Sequence, residues 1–376
     1  MATRIMIIAG EASGDLHGSA LVNALRERQP DVEMFGVGGD RMQRAGMELI
    51  YHVEDLAFMG FSEVVKHLGE IRRKFYHLLD VVKDRQPDIL VLVDYPGFNL
   101  RFGKKVKQLG VPVFYFIAPQ VWAWHQSRAK TMATFVDRMA VLFEFEVDFF
   151  QKYGLETHFV GHPLLDSLNV KLSRDEFYQK YDLPFGAPVL ALFAGSRKQE
   201  IDTLLPPLLQ TAQQLKAHHP DVQIAVSRAA TIPPSYILPY LDGAQDTIAL
   251  VDDTYELIKY AQAAIVKSGT STLETAIFET PFLIVYKVSP LSYAIGKRVV
   301  KIPFIGLANI VAGEQVAKEF IQNDVTAESL LPEVERCMFD ETYRQEKVQK
   351  MRNIKKRLGE PGAAEKTAEL ILQLTK

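Results

Sequence analysis

The sequence predicts an α/β protein built from two doubly wound domains, each with a parallel sheet. Three observations carry that expectation. Short apolar runs alternate with helical patterns almost from the first residue. The alternation breaks once, in polar, turn-rich sequence between about residues 165 and 185, and then begins again. The length, 376 residues, suits two domains sharing one chain.

In the first half, Ile5–Ala9 reads as a buried strand and Leu16–Arg28 as a helix with Leu21, Val22 and Leu25 on its apolar face. Glu33–Val37, Asp88–Val93, Val113–Ile117 and Arg138–Phe143 read as further strands. Ile71–Asp84, Leu100–Leu109, Ala129–Thr134 and Val147–Tyr153 read as the helices between them. In the second half the expected strands are Val189–Phe193, Val222–Val226, Ile248–Val251, Ala263–Val266 and Pro281–Val285. Leu204–His218, Tyr255–Ala261 and Leu273–Glu279 are the expected helices. A charged helix, Glu341–Leu358, precedes Gly359-Glu360-Pro361-Gly362, and Ala363–Leu374 follows with an apolar stripe. That stripe would dock within the chain or exchange between protomers of a homodimer. The expected domains are residues 1–165, completed by 359–376, and residues 166–358.

Composition narrows the class. Net charge is −3, so no global positive field calls for nucleic acid. One cysteine, Cys337, leaves neither a disulfide nor a cysteine cluster for zinc. The first apolar run is too short to span a bilayer and meets Gly10 and Glu11 at once, so it reads as a strand, with no signal-peptide pattern after it. No Asp-x-Asp pair suggests a metal, and no cofactor is expected.

The stretch Lys267-Ser268-Gly269-Thr270-Ser271-Thr272-Leu273-Glu274 follows an apolar strand and opens a helix. Such a turn aims backbone N–H groups and small hydroxyls at one spot, where the helix dipole also favours an anion. Glu274 is a poor phosphate ligand and a good acceptor for sugar hydroxyls. Together they suit a nucleotide's ribose and diphosphate, although an ordinary capped helix has the same pattern. A second strand ends in Gly195-Ser196-Arg197-Lys198-Gln199-Glu200. The planar donor fork of Arg197 suits phosphate oxygens, and it equally suits a salt bridge to Glu200.

The first half offers carboxylates instead. Gly10-Glu11-Ala12-Ser13-Gly14-Asp15 follows the first strand without the glycine spacing of a dinucleotide fingerprint. Glu11 and Asp15 would repel a pyrophosphate, so a sugar or amine is the better guest. Helix capping by Ser13 or Asp15 is the structural alternative. Asp94 ends the run Ile89–Val93. An acid there can accept a proton from an attacking hydroxyl, or cap the Pro96-Gly97 turn. If the two domains face a cleft, Asp94 lies across it from Arg197. Trp122 and Trp124 follow another strand and would face a sugar or acyl chain, or pack in the core.

Leu56–Phe61 and Val64-Val65 form an apolar stretch containing Phe58, Met59 and Phe61. Residues 66–85 then carry Lys66, Arg72, Arg73, Lys74, Lys83 and Arg85 against Glu70, Asp80 and Asp84. Apolar residues beside basic ones suit an anionic lipid surface, and a solvated basic helix has the same composition.

The motifs GEASGD (Gly10–Asp15), APQVWAWH (Ala118–His125), GHPLLD (Gly161–Asp166), GSRKQEI (Gly195–Ile201) and KSGTSTLE (Lys267–Glu274) occur in that order. As a set they resemble the lipid-A-disaccharide synthase family, over nearly the whole chain. The resemblance implies the GT-B glycosyltransferase fold, with the last helix crossing back to the first domain. It implies inverting transfer of 2,3-diacylglucosamine from UDP to the 6-hydroxyl of 2,3-diacylglucosamine 1-phosphate. The products are UDP and lipid A disaccharide 1-phosphate, made at the cytoplasmic face of the inner membrane. By the same resemblance Asp94 is the general base, with Glu11 and Asp15 as nearby alternatives and Ser13 and Gly14 in the same loop. Ser196, Arg197 and Glu200 belong to the UDP-sugar site. Ser268, Gly269, Thr270 and Ser271 hold the diphosphate, Glu274 the ribose, and Asn309 lies near the nucleotide. Ala308 stands where the family pattern has proline. Phe58, Met59, Phe61, Val64, Arg72, Arg73 and Lys74 would meet acyl chains or membrane. The rival readings are a UDP-sugar 2-epimerase and a UDP-sugar-binding protein without turnover.

Overall fold

The computed structural model describes residues 2–56, 67–124, 126–242, 248–299 and 302–375. The chain forms two compact units: Met1–Asp166 with Leu358–Lys376, and Ser167–Arg357.

The first unit holds seven strands: β1 (Arg4–Ala9), β2 (Glu33–Gly38), β3 (Glu48–His52), β4 (Ile89–Val93), β5 (Val113–Phe116), β6 (Arg138–Val141) and β7 (Glu156–Phe159). They lie in the order β3-β2-β1-β4-β5-β6-β7, and every ladder is parallel. All five residues of β4, and Ile5–Ala9 of β1, are wholly buried, because helices cover both faces of a central parallel strand. The second unit repeats the design with β8 (Val189–Phe193), β9 (Gln223–Ser227), β10 (Ile248–Val251), β11 (Ala263–Lys267), β12 (Phe282–Tyr286) and β13 (Glu319–Ile321). Its parallel order is β10-β9-β8-β11-β12-β13.

Each sheet therefore reverses its winding once, between β1 and β4 in the first unit and between β8 and β11 in the second. Ligands of doubly wound sheets bind beyond the strand carboxyl ends at such a switch point. Ala9 pairs with Val93, so Gly10-Glu11 and Asp94 emerge side by side. Phe193 pairs with Val266, so the Gly195 loop and Lys267 emerge side by side.

The structure departs from the sequence expectation at several ends. The first helix starts at Ala12, a turn earlier than Leu16, so Ser13 and Gly14 belong to its first turn rather than to a loop. Gly14 allows that helix to approach β1: a Cβ there would lie 3.3 Å from the Ala9 Cβ. The helix expected from Leu204 begins at Lys198 and runs through Pro206 and Pro207 to His218. β3, β7 and β13 were not expected. All three are edge strands, β3 and β7 closing the first sheet and β13 ending the second, and all lack the continuous apolar run that marks a central strand. The final helix, Ala363–Leu372, packs on the first helix, Ala12–Arg28, of the same unit. The Arg138 guanidinium ties its end by donating to the Leu370 carbonyl at 3.0 Å. Its apolar stripe is thus covered within the chain. No helix among the described residues is long and apolar enough to cross a membrane.

Candidate functional site

At the switch point of the second unit lies a cavity of about 300 Å³. Gly195, Ser196, Arg197 and Glu200 line it from one strand tip, Lys267, Gly269, Thr270 and Ser271 from the other, and Ser227 and Thr254 from beside them. Its wall is mostly small hydroxyls and glycines, with two cations, the Glu200 carboxylate and the apolar Phe193 and Ala229; the hydroxyls and cations suit an oxyanion.

Glu200 organises this wall. Its Oε2 accepts the backbone N–H of Ser196 at 3.0 Å and of Arg197 at 3.3 Å. Its Oε1 meets Arg197 Nη1 at 3.4 Å and Lys267 Nζ at 2.8 Å. Burial works to raise this carboxyl, but Lys267, the Ser196 N–H and Arg197 together hold it below the ordinary range. Gly195 has φ +121°, and any side chain there would collide with the Glu200 carboxylate. Arg197 is 70% exposed, so its guanidinium can leave Glu200 for a ligand at little cost.

Two residues expected at this site are committed elsewhere. The Ser268 hydroxyl donates to the Ile305 carbonyl at 2.8 Å, and Ser268 does not line the cavity. Asn309 is fully buried and uses both ends of its amide. Nδ2 donates to the Ala317 carbonyl (2.7 Å) and Glu319 (2.9 Å), while Oδ1 accepts from Val316 and Ala317 (2.8 and 2.9 Å). It pins the approach to β13 and has no amide group left for a nucleotide. Ala308, in the place of a proline, donates its N–H to Thr272 Oγ1 at 3.2 Å, a bond that proline cannot make. Glu274 sits half-buried one turn into the helix Ser271–Ile277. Burial raises its carboxyl, against a hydrogen bond from Ser271. Lys267 is a further residue of this wall, and its place at a strand end before the glycine turn is the sequence signal for it.

The first unit's switch point carries acids. Asp94 and Tyr95 both adopt left-handed backbone, φ +47° and +46°. Such residues cost on the order of 1–3 kcal/mol each and need support. It comes from Tyr115 Oη and Asn99 Nδ2, which donate to the Asp94 carbonyl at 2.6 and 2.8 Å. Tyr95 Oη ties to the Leu56 carbonyl at 2.7 Å, and its ring occupies the space where Gly10 lacks a Cβ. Burial, and then the nearby Glu11 charge, push the Asp94 carboxyl up to about 6, against a backbone hydrogen bond from Tyr95. Glu11 itself is exposed at the helix N-cap and makes no capping bond there.

Asp15 is a different case. It is buried, and its carboxylate accepts the N–H groups of Gly39 (2.8 Å), Met42 (3.0 Å) and Arg41 (3.2 Å). It caps the helix Asp40–Arg44 rather than its own, so it is an anchor and not a free base. Trp122 is core: its indole bonds Glu146, and its ring packs edge-on against Phe145. Of the expected membrane patch, Phe58, Met59, Phe61 and Val64 lie outside the described residues. Arg72 and Arg73 are exposed on the helix Leu68–Arg85. Lys74 is instead buried, donating to the Asp55 carbonyl at 2.7 Å and pairing with Glu70 at 2.8 Å. It is a structural lysine and not a lipid contact.

Two doubly wound units, one with an anion seat and the other with a carboxyl at its switch point, define the GT-B architecture. The family model described as lipid-A-disaccharide synthetase matches residues 5–373. A lipid-A-disaccharide synthase of Geobacter sulfurreducens is 42% identical over 372 residues, covering 99% of this chain and 97% of that protein. The UDP-GlcNAc 2-epimerase of Neisseria meningitidis bound to UDP-GlcNAc superposes with TM-score 0.67 at 11% identity, covering 99% of this chain and 100% of that one. The calicheamicin glycosyltransferase gives 0.62 at 15% identity, covering 99% and 98%. At those identities the two structures establish the fold alone. The chain belongs to the lipid-A-disaccharide synthase family, and it is a glycosyltransferase of lipid A biosynthesis.

Proposed function

We propose that this enzyme moves 2,3-diacylglucosamine from UDP to the 6-hydroxyl of 2,3-diacylglucosamine 1-phosphate, inverting the anomeric carbon. The observation that carries the proposal is Asp94, a carboxyl poised at about 6 on a braced, left-handed strand tip. A base with that affinity is ionised at neutral pH and still accepts a proton readily. Asp94 takes the proton of the 6-hydroxyl as its oxygen bonds the anomeric carbon. The bond from that carbon to the diphosphate breaks, and UDP leaves with the electron pair. Arg197, Ser196 and the Gly269–Ser271 turn, which line the second unit's cavity, take up the growing negative charge. Glu274 is the acceptor offered to the ribose hydroxyls. Arg72 and Arg73, which follow the apolar stretch 57–65 in the sequence, would hold the enzyme on the cytoplasmic face of the inner membrane, where acylated substrates reside.

The test is UDP release from UDP-2,3-diacylglucosamine in detergent micelles, with and without the acceptor monosaccharide 1-phosphate. The proposal expects release only with acceptor, matched by a disaccharide 1-phosphate. Release without acceptor, and without disaccharide, would favour an epimerase-like or hydrolytic reaction.

A further inference from the structure

We infer that Lys267 is a second cation of the anion cavity, held ready by Glu200, and that it sets a preference for a nucleoside diphosphate over a nucleoside monophosphate. The inference rests on reading that cavity as the nucleotide's seat.

Lys267 ends a strand whose preceding residues, Ala264, Ile265 and Val266, are buried. It is the one charged residue of β11, placed where the strand meets the turn. Its ammonium lies over that turn, since a Cβ added to Gly269 would come within 3.7 Å of Nζ. An ammonium has three N–H donors, and Glu200 takes one of them at 2.8 Å.

A comparison within the same unit shows what a purely structural lysine looks like. The Lys347 side chain is 5% exposed, pairs with Glu333 at 3.3 Å and donates to the Phe282 and Val316 carbonyls. Its donors are spent in the core. The Lys267 side chain is 22% exposed and lines the cavity. Glu200, by contrast, is saturated by two backbone amides and two cations.

The charge balance then gives the specificity. Arg197 and Lys267 bring two positive charges, and Glu200 brings one negative. With Glu200 fixed by the Gly195–Arg197 loop, an incoming anion draws the exposed Arg197 guanidinium to itself and shares Lys267 with the carboxylate. One phosphate group can be met by Arg197 alone. A diphosphate carries charge for both cations, and losing Lys267 removes the second partner. The whole chain is net negative, so anion binding here depends on these local charges.

The experiment is calorimetric binding of UDP, UMP and uridine to the full chain and to Lys267→Met, Lys267→Arg and Glu200→Gln variants, at low and high salt. The inference expects Lys267→Met to weaken UDP about tenfold, weaken UMP less than threefold, leave uridine unchanged and flatten the salt dependence for UDP. Lys267→Arg should restore UDP binding to within about threefold. Glu200→Gln, which leaves both cations with less opposing charge, should not reproduce the Lys267→Met loss. If Lys267→Met binds UDP like the parent, or loses uridine and UMP as much as UDP, Lys267 merely ties the loop and the inference is wrong. If the unaltered chain fails to bind UDP at all, the reading of the cavity itself falls, and the inference with it.

Discussion

The indole N–H of Trp122 donates to the Glu146 carboxylate at 2.9 Å, with both side chains buried in the first unit. The other carboxylate oxygen accepts the Phe143 N–H at 3.2 Å, which joins the segment after β5 to the tip of β6. Burial pushes the Glu146 carboxyl up to about 7, against the Trp122 bond and backbone hydrogen bonds from Phe143 and Leu142. The folded state therefore holds this proton more tightly than the unfolded chain. Stability from this group is fully present below the ordinary glutamate range near 4.5 and is lost as pH rises through about 7. The melting temperature should fall between pH 5 and pH 8. Glu146→Gln should flatten that part of the profile, and an unchanged profile would remove Glu146 as its source.

Asp94 gives a kinetic counterpart. A base acts in its ionised form, so kcat/KM should rise with pH through about 6 and level off above it. Asp94→Asn should lower kcat by roughly 10²–10⁴-fold, the range for losing a positioned base. UDP affinity, measured by calorimetry, should stay within about twofold.

Asp15 should behave as an anchor. Asp15→Ala strips an acceptor from three backbone N–H groups, two of those bonds lying in buried surroundings. Unsatisfied buried donors cost about 1–3 kcal/mol each, and the sum is not additive, so a loss of about 3 kcal/mol in urea unfolding is expected. Activity per folded molecule should survive better than in Asp94→Asn. Equal loss of turnover in fully folded protein would return Asp15 to the list of bases.

Asn309 separates stability from nucleotide binding in the second unit. Asn309→Ala breaks four hydrogen bonds around Val316–Glu319 and should cost about 2–4 kcal/mol. UDP affinity well below the melting temperature should change little. A selective loss of UDP binding with stability intact would show that the amide turns toward the ligand.

Much of the fold was legible because central parallel strands are buried on both faces: β1, β4, β8 and β11 read as unbroken apolar runs bounded by Gly, Asp or Lys. The edge strands β3, β7 and β13 gave no such signal; β3 has no wholly buried residue, and β13 is three residues long. The site was legible at its strand tips, since Gly195–Arg197 and Gly269–Ser271 do line one cavity. What the sequence could not show was where shared polar groups are spent. Asp15, Ser268, Asn309 and Lys74 all look like ligands in one dimension, and each finds a partner within its own unit. Lys267 is the converse, a residue whose importance appears only when Glu200, 67 positions earlier, is brought to within 2.8 Å of it.

The stereochemistry of the product tests the central claim most directly. Incubated with UDP-2,3-diacylglucosamine of defined anomeric configuration and 2,3-diacylglucosamine 1-phosphate, the enzyme should yield a 1→6-linked disaccharide 1-phosphate. Its new glycosidic bond, read by proton NMR, should show the opposite anomeric configuration from the donor, and Asp94→Asn should slow its appearance by the same roughly 10²–10⁴-fold. A product that retains the donor's configuration would contradict direct attack by a hydroxyl deprotonated by Asp94.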